Sequence, residues 1–383
     1  MPKIHWLGAG LSSVPGIRRL ATNKHELILW NRTLAKSTDA LQGLSSNAQA
    51  QQLDWGSLSN QLAAGDIVVS MLPATMHIQV AEMCLRKSAH FVSSSYVSPE
   101  MKSLDSRAIE LNLCFVNEVG LDPGLDHLMA HVLISNYKQS ASFDASNSHY
   151  FRSYCGGFPK HPNEFKYKFS WSPLGVLRAL KSPAKWIAGG QTATTEKPWT
   201  SITDYNARLP SGNETFQAYP NRDSLPFVSD YQISDDWNLQ EFVRGTLRLE
   251  GWSDAWKEIF QLVENADGEA GAKALQDKSD QLWEQFRYDD GEPDRVVLSV
   301  ELQVDNDGET VWHQVVCLDE SGNANGSAMA RLVSLTTSIA VESVLSGEFT
   351  TGVSAAPKDP AVANQWLDSM RELGETIELV KLV

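Results

Sequence analysis

The sequence predicts an α/β protein of two domains: a doubly wound parallel sheet at the N-terminus and an inserted α+β domain with a mixed sheet. Short apolar runs alternate with helical stretches over residues 4–116, which is typical of parallel strands joined by right-handed crossover helices. From about residue 126 the strand signals lengthen and the loops become rich in aromatic residues. The 383 residues also exceed what one compact core usually holds.

The first domain is expected to begin with a strand over residues 4–7 and a helix over residues 14–23. Further strands are expected at residues 27–30, 67–72, 89–93 and 114–116, with another helix at 34–41. Each strand candidate is a short, mostly apolar run, as buried strands are. A helix rich in small residues is expected over 329–345 and can pack back on this sheet. The predicted domain therefore comprises residues 1–125 and 327–383.

The second domain is predicted over residues 126–326, as a substrate-binding domain that could also form a dimer contact. Residues 155–172 are turn-rich and aromatic. Helices are expected at residues 252–263 and 270–288. Strands are expected at residues 216–227, 240–249, 296–304 and 310–318, the last two joined as a hairpin around Asp305-Asn306-Asp307-Gly308.

The composition narrows the class of protein. The formal net charge of −15 argues against nucleic acid or an anionic membrane as a partner, because both are bound by clustered Lys and Arg. The four cysteines form no CxxC pair and no Cys/His cluster with zinc spacing, so neither a disulfide framework nor a metal site is expected. We find no signal-peptide pattern and no apolar run near the ~18–20 residues of a membrane span. A cytoplasmic protein is expected.

A glycine-rich turn, Gly8-Ala9-Gly10, follows the first expected strand. Gly8 permits a sharp turn, and Gly10 lets a pyrophosphate approach the backbone beside the next helix N-terminus. Ser13 replaces the third glycine of the usual GxGxxG pattern. Because strand, turn and helix follow in order, the pattern predicts a Rossmann dinucleotide-binding domain, with Leu11 and Ser12 beside the cofactor.

The end of the second strand distinguishes the two nicotinamide cofactors. An NAD site places Asp or Glu there to accept from the ribose hydroxyl, whereas this chain has Asn31, Arg32 and Thr33. Arg32 can bind a 2′-phosphate that a carboxylate would repel. An ordinary solvated arginine is the alternative interpretation. We expect NADP(H), with Leu72 and Pro73 at the end of the next apolar strand completing the site.

Seven segments resemble signatures of the saccharopine dehydrogenase (NADP, L-glutamate-forming), or saccharopine reductase, family. They are residues 94–99 (SSYVSP), 116–127 (VNEVGLDPGLDH), 153–159 (SYCGGFP), 167–172 (YKFSWS), 219–224 (YPNRDS), 244–248 (RGTLR) and 327–331 (SAMAR). The resemblance implies interconversion of saccharopine, NADP and water with L-glutamate, 2-aminoadipate 6-semialdehyde and NADPH. One departure is that the helical insertion of the family is shortened here, at about residues 251–295.

The resemblance places Arg222 and Arg244 at the substrate pocket. Saccharopine carries three carboxylates, and a planar guanidinium can hold a carboxylate through two parallel hydrogen bonds. The alternatives are that Arg222 pairs with a surface acid such as Asp223, and that Arg244 is structural. Arg248 is less favoured, because four residues along a strand move it roughly 13 Å from Arg244. Ser95, Tyr96, Gly245 and Thr246 are the other expected substrate-binding residues.

Three residues are expected to form the catalytic shell: Asp126, Cys155 and Tyr96. Asp126 stands at the start of an expected helix, where it either stabilises a cationic intermediate or serves as an N-cap. Cys155 could relay a proton as a thiol or fill space as a small apolar residue. Tyr96 could donate to a substrate carboxylate or only pack. His127 is more readily a structural hydrogen-bond partner than the general base.

Two other functions fit parts of the sequence. A relative acting on another N-linked amine acid, such as carboxynorspermidine, would share the domains, although two substrate arginines favour the additional carboxylates of saccharopine. A protein that binds NADPH without turnover is the second, because Rossmann folds host such proteins. The presence of Tyr96, Asp126, Cys155, Arg222 and Arg244 argues against that second function.

Overall fold

The computed structural model describes residues 2–383, which form two compact units. Unit 1 comprises the residues up to His127 together with Ala324–Pro357. Unit 2 comprises Leu128–Asn323 and Lys358–Val383. Strands and helices are numbered in chain order through both units.

Unit 1 contains a seven-stranded sheet with helices between its strands. Its strands are β1 (Ile4–Leu7), β2 (Leu27–Asn31), β3 (Gln49–Gln52), β4 (Ile67–Ser70), β5 (His90–Val92), β6 (Cys114–Val116) and β15 (Gly352–Ser354). Its helices are α1 (Val14–Thr22), α2 (Leu34–Leu41), α3 (Trp55–Gln61), α4 (His77–Lys87), α5 (Pro99–Lys102), α6 (Asp105–Glu110) and α13 (Ala328–Leu345), and α7 (Leu125–Lys138) begins here.

All strand pairs of this sheet are parallel, in the order β15-β6-β5-β4-β1-β2-β3. The order reverses between β1 and β4, and ligands of such sheets bind outside the carboxyl ends of the strands at that point. The predicted parallel, doubly wound sheet is confirmed. Two strands were missed: β3 is the polar run Gln49–Gln52, and β15 has only three residues.

Helix α13 packs against α1 in unit 1 and is largely apolar. It has 18 residues with a mean hydropathy of 1.3, long and apolar enough to span a membrane by length and composition alone. However, 78% of that window is buried within the fold. It lies so close to α1 that a Cβ on Gly16 would stand 2.2 Å from the Ser334 carbonyl oxygen, and the Gly16 N–H donates to Ser334 Oγ at 2.8 Å.

Unit 2 is built on long strands that form a mixed sheet. Its strands are β7 (Ser148–Pro159), β8 (Ala184–Ala188), β9 (Gln191–Thr195), β10 (Thr203–Leu209), β11 (Gly212–Pro220), β12 (Asn238–Arg248), β13 (Asp294–Asn306), β14 (Glu309–Ser321) and β16 (Ile377–Lys381). Its helices are α8 (Pro173–Leu180), α9 (Pro226–Asp230), α10 (Trp252–Ala255), α11 (Lys257–Glu264), α12 (Gly268–Phe286) and α14 (Pro360–Glu372).

The main path of this sheet runs β10-β11-β12-β7-β13-β14-β16, and only the β7–β12 pair on it is parallel. The predicted mixed sheet and hairpin are therefore confirmed, with Asp307 and Gly308 at positive φ (51° and 86°) in the turn. One face carries an apolar core that includes Tyr154, Phe216 and Leu247. The other face carries Tyr219 and is packed by aromatic residues of α10 and α11.

Three expectations about unit 2 were wrong. Residues 155–159 lie inside strand β7 and not in a turn-rich segment. The strand expected over 216–227 ends at Pro220, and a turn and helix α9 follow. Residues 358–383 do not return to the Rossmann domain, because β16 pairs antiparallel with β14 at the edge of the mixed sheet, for example through Val315 and Val380.

Candidate functional site

The glycine turn of unit 1 is fixed by its neighbours. The Gly8 N–H donates to the Trp30 carbonyl at 2.7 Å, which ties the end of β1 to β2. Gly8 has φ +102°, and a Cβ there would stand 2.9 Å from the Met71 carbonyl oxygen. A side chain at this position would be strained in its backbone and would collide with the chain after β4. Only glycine therefore fits the turn.

Gly10 contrasts with Gly8, because a Cβ at Gly10 would meet no protein atom within 4 Å. The adjoining Leu11 is 54% exposed, Ser12 is half-buried, and α1 begins at Val14. Backbone at the start of a helix with open space beside it suits a phosphate group. These residues fit the pyrophosphate of a dinucleotide.

The end of β2 lies against the glycine turn. Asn31 accepts a 3.3 Å hydrogen bond from the Ala9 N–H through Oδ1 and donates to the Thr33 carbonyl at 3.1 Å. Arg32 and Thr33 are exposed. Leu72 follows β4, and its Cδ2 is 3.6 Å from the position of a Cβ on Gly8, while Pro73 is exposed. The structure thus gathers the predicted cofactor residues at the carboxyl ends of β1, β2 and β4.

Ser95 follows β5 and is held by a histidine that the sequence analysis missed. His77 Nε2 is 2.8 Å from Ser95 Oγ, and His77 Nδ1 is 2.9 Å from Ser70 Oγ at the end of β4. Burial lowers the pKa of His77 to about 4. The neutral ring has one donor and one acceptor nitrogen, so it can bridge the two hydroxyls. No motif pointed to His77, because its role depends on residues 18 and 7 positions away.

Tyr96 and the loop after β6 form a second polar group in unit 1. The Tyr96 hydroxyl donates to Asp122 Oδ1 at 3.0 Å. Asp122 precedes Pro123 through a cis peptide bond. Asp122 was not selected from the sequence, although it lies within the segment 116–127 that resembles the family.

Asp126 and His127 are buried together with a second acidic residue, Glu118. His127 Nε2 is 2.9 Å from Glu118 Oε2, and its Nδ1 is 3.5 Å from Asp126 Oδ2. Asp126 Oδ1 accepts a 2.7 Å hydrogen bond from the Gly124 N–H, which lies before the helix. That bond runs backwards along the chain, unlike an N-cap bond to a later residue. Glu118, also missed, further accepts from the Val97 N–H at 2.9 Å.

In unit 2, Cys155 lies in the middle of strand β7. It pairs with Thr246 on β12 and with Leu298 on β13. The next residue, Gly156, faces the opposite side, where a Cβ would stand 2.7 Å from both the Cβ and the carbonyl oxygen of Leu247. The glycines after Cys155 therefore allow close strand packing. Cys155 and Thr246 are half-buried neighbours on the other face.

The two candidate substrate arginines are joined through their backbones. Arg222 has φ +60° and an exposed side chain in the turn after β11. The N–H of Asn221 donates to the Arg244 carbonyl at 2.9 Å, and the Arg244 N–H donates to Ser224 Oγ at 3.0 Å. The buried Arg244 guanidinium lies 3.9 Å from the ring centroid of Phe227.

Two groups of predicted site residues therefore form, one in each unit. Unit 1 holds the cofactor residues together with Ser95, Tyr96 and Asp126. Unit 2 holds Cys155, Arg222, Arg244, Gly245 and Thr246 on β7, on β12 and in the turn after β11. Among residues 2–383, no group of three or more His, Cys, Asp or Glu side chains is placed to hold a metal ion.

Comparison with known proteins assigns the chain to a family. Residues 4–116 match the sequence model of the saccharopine dehydrogenase NADP binding domain, and residues 120–375 match that of the saccharopine dehydrogenase C-terminal domain. The chain belongs to the saccharopine dehydrogenase family. The resemblance found in the sequence and the expected NADP cofactor are confirmed.

Relatives within the saccharopine dehydrogenase family cover nearly the whole chain. Saccharopine dehydrogenase [NADP(+), L-glutamate-forming] of Pyricularia oryzae is 29% identical, over 96% of each chain. The Saccharomyces cerevisiae enzyme of the same name is 28% identical, also over 96% of each. The first alignment runs over 446 positions, more than the 383 residues here, so this relative has segments without a counterpart in this chain.

Solved structures agree with this assignment. The apo saccharopine dehydrogenase (L-Glu forming) from Saccharomyces cerevisiae superposes with a TM-score of 0.81 and 26% identity, covering 100% of both chains. Homospermidine synthase from Legionella pneumophila superposes with a TM-score of 0.62 and 11% identity, covering 99% of this chain and 91% of its own. The second match shows a shared fold only.

Proposed function

We propose that this member of the saccharopine dehydrogenase family interconverts saccharopine, NADP and water with L-glutamate, 2-aminoadipate 6-semialdehyde and NADPH. The observation that carries the proposal is the pair of guanidinium-bearing segments in unit 2, joined by the Asn221–Arg244 hydrogen bond. A chain of net charge −15 needs fixed local cations to hold a substrate with three carboxylates. Arg222 and Arg244 supply them.

The chemistry is an oxidation at carbon followed by hydrolysis. The C–H bond of the lysine-derived carbon beside the secondary amine breaks, its electron pair leaves as hydride, and a C=N bond forms. Water then adds to that carbon, and the C–N bond breaks to give an aldehyde and the amino group of glutamate. NADP, when bound, takes up the hydride in this direction and supplies it in the reverse direction.

The residues of the chain bind the substrate and move protons. Arg222 and Arg244 hold carboxylates. Gly245 and Thr246 follow Arg244 on β12 and shape that strand beside Cys155. The Asp126 carboxylate stabilises the positive charge on the nitrogen. The Cys155 thiol relays the proton at nitrogen. The Tyr96 hydroxyl, whose single proton goes to Asp122 in this structure, exchanges that partner for a substrate carboxylate, with Ser95 beside it.

The cofactor role belongs to unit 1. Backbone N–H groups at Gly10, Leu11 and Ser12 would hold the pyrophosphate, and Arg32 would bind the 2′-phosphate. Asn31, Thr33, Leu72 and Pro73 would line the rest of the site. Unit 2 supplies the substrate domain, in which we expect the helical region around residues 251–295 to be shorter than in the relatives.

The protein is proposed to act in the cytoplasm, as a monomer or a homodimer formed through unit 2. Each of its four cysteines is a free thiol, which fits a reducing compartment. Sedimentation analysis tests the oligomeric state, and fractionation with an antibody tests the compartment. Recovery of the protein with membranes or in an oxidising compartment would contradict the cytoplasmic assignment.

A spectrophotometric assay tests the activity by following the absorbance of NADPH at roughly 340 nm, because the cofactor gains the hydride that the substrate loses. We expect NADPH to form with saccharopine and NADP, and little signal with NAD. The reverse assay supplies NADPH and the semialdehyde with either glutamate or a diamine in place of glutamate. Turnover with the diamine alone would identify a carboxynorspermidine-like enzyme, and NADPH binding without any turnover would identify a non-catalytic protein.

A further inference from the structure

Arg248 is a buried cation at the end of β12. It is 8% exposed, and its Nη1 donates to the adjoining Leu247 carbonyl at 3.0 Å. Its Nε is buried and has no hydrogen-bond partner within the fold. Among residues 2–383, no carboxylate forms an ion pair with it, although the chain has 47 acidic residues. Burying a cation without a counter-charge is costly, so such a group is a candidate for binding an anionic ligand.

Three aromatic rings surround the Arg248 guanidinium. Its central carbon is 5.1 Å from the ring centroid of Tyr167, 5.6 Å from that of Tyr219 and 5.1 Å from that of Trp252. The Tyr219 and Trp252 rings stack at 5.5 Å. The rings fix the guanidinium in one place and stabilise its charge through cation–π attraction. They offer no acceptor as strong as a carboxylate.

Trp252 provides an independent observation at the same place. Its indole Nε1 is fully buried and also lacks a hydrogen-bond partner. Buried donors without partners are rare in folded proteins, because each one loses its hydrogen bonds to water without replacement. Arg248 Nε and Trp252 Nε1 are two such donors, and they lie on groups in cation–π contact.

The spacing along β12 fits the substrate of the proposed function. Residues two apart on a strand share a face, so Arg244, Thr246 and Arg248 project from one side, with Cys155 beside Thr246. The Cα atoms of Arg244 and Arg248 are therefore roughly 13 Å apart. The outermost carboxyl carbons of extended saccharopine are ten bonds apart, roughly 12 Å with C–C bonds of about 1.5 Å.

We infer that Arg248 and Trp252 form an anion subsite for the α-carboxylate at the lysine-derived end of the substrate. This inference rests on the proposed function and adds a second, distant anchor to Arg222 and Arg244. The subsite explains the distance between Arg244 and Arg248. One arginine at each end holds a carboxylate of saccharopine, and the carbon that loses hydride lies between the two ends.

The test compares saccharopine with its analogue that lacks this one carboxylate, N-(5-aminopentyl)-L-glutamate. Binding is measured by calorimetry in the presence of NADPH, which cannot accept a hydride from saccharopine, so no turnover occurs during the titration. The wild-type chain should bind saccharopine at least roughly tenfold more tightly than the analogue, as expected for one charged hydrogen-bond pair. Equal affinity for the two ligands would overturn the subsite, whatever the variants do.

Variants locate the effect. Arg248→Gln should weaken saccharopine at least roughly tenfold and leave the analogue unchanged, and Trp252→Phe should act in the same direction with a smaller loss. Arg248→Lys retains the charge and serves if the glutamine variant does not fold. Two variants are the matched controls. Arg287→Gln changes an exposed arginine, and Trp199→Phe changes a tryptophan that stacks on Phe260.

The outcomes separate the two proposals. Equal weakening of both ligands in Arg248→Gln would show a structural role for the cation and overturn the inference. Selective loss of saccharopine affinity in a chain that shows no oxidation of saccharopine would support the subsite while contradicting the proposed activity. If the chain oxidises saccharopine but binds saccharopine and the analogue equally well, the proposed activity is retained and the subsite is contradicted.

Discussion

The backbone N–H of Asn221 donates to the carbonyl oxygen of Arg244 at 2.9 Å. This bond attaches the turn that carries Arg222 to strand β12, and the Ser224 hydroxyl accepts from the Arg244 N–H on the other side of the same residue. Two arginines that are distant in the sequence are thereby placed on one short stretch of backbone. We expect the two arginines to act together in binding an anionic substrate, and a change of either one tests this.

Replacement of Arg222 should weaken substrate binding without harming the fold. Arg222 has φ +60°, a conformation that asparagine tolerates, so Arg222→Asn removes the charge with little backbone strain. We expect the KM for saccharopine to rise at least roughly tenfold, as loss of a charged pair worth about 2–5 kcal/mol implies. Arg178→Asn, at an exposed position on α8, is the control. An unchanged KM would remove Arg222 from the pocket.

The two glycines of the cofactor turn should respond differently to alanine. Gly8→Ala places a Cβ 2.9 Å from the Met71 carbonyl oxygen at φ +102°, so the free energy of unfolding should fall by at least about 1 kcal/mol. Gly10→Ala meets no protein atom, so the unliganded protein should unfold as the wild type does. Its NADPH affinity should fall, because the methyl group occupies the space of the phosphate. Chemical denaturation and fluorescence titration measure the two effects, and undiminished NADPH binding in Gly10→Ala would place the pyrophosphate elsewhere.

Arg32 should determine the preference for NADPH over NADH. Arg32→Asp exchanges a cation for an anion beside the expected 2′-phosphate, so NADPH affinity should fall at least roughly tenfold while NADH is much less affected. Lys24→Asp, an exposed residue before the opposite end of β2, makes the same charge change away from the cofactor. An equal loss for both cofactors in Arg32→Asp would contradict the role of this guanidinium.

His77 should make stability depend on pH. Its pKa is lowered to about 4 by burial, whereas the ordinary value is 6.5, so the unfolded chain takes up a proton first as the pH falls. The free energy of unfolding contributed by neutral His77 is therefore fully present above pH 6.5 and declines toward pH 4, by up to about 3 kcal/mol. Urea unfolding across this window measures the decline.

The matched variant for this experiment is His77→Gln, which keeps one hydrogen-bonding group but cannot titrate. Its unfolding free energy should decline less than that of the wild type between pH 6.5 and pH 4. His5, His90 and His149, whose pKa values burial also lowers, remain in both proteins, so the difference isolates His77. Parallel curves for the two proteins would contradict the buried, neutral state of this ring.

Several features could be predicted because their cause is local. The apolar run Ile4–Leu7 and the glycines after it determine a strand and a turn through their own conformational preferences. The hairpin between β13 and β14 follows from Asp307-Gly308, which accept positive φ. The absence of an acid after β2 predicted the NADP cofactor that the family match confirms.

Other features could not be predicted because their cause is distant in the chain. Gly156 and Gly157 suggested a turn, yet they lie inside β7, since Leu247 on the neighbouring strand leaves no room for a Cβ on Gly156. The polar strand β3 has no apolar signal, because it is half exposed at the edge of its sheet. Residues 377–381 joined the second sheet because β14 offered an unpaired edge.

The sequence alone determined the family and the parallel sheet with its cofactor turn, and it supplied the residues that we propose bind an anionic amine. These depend on short-range conformational preferences and on ordered motifs, and both can be recognised from short stretches of the sequence. Only the tertiary structure decided that His77 holds Ser95, that Glu118 joins Asp126 and His127, and that Arg248 is enclosed by aromatic rings. Those relationships arise from burial and from contacts between distant segments, which have no signature in any local stretch of residues.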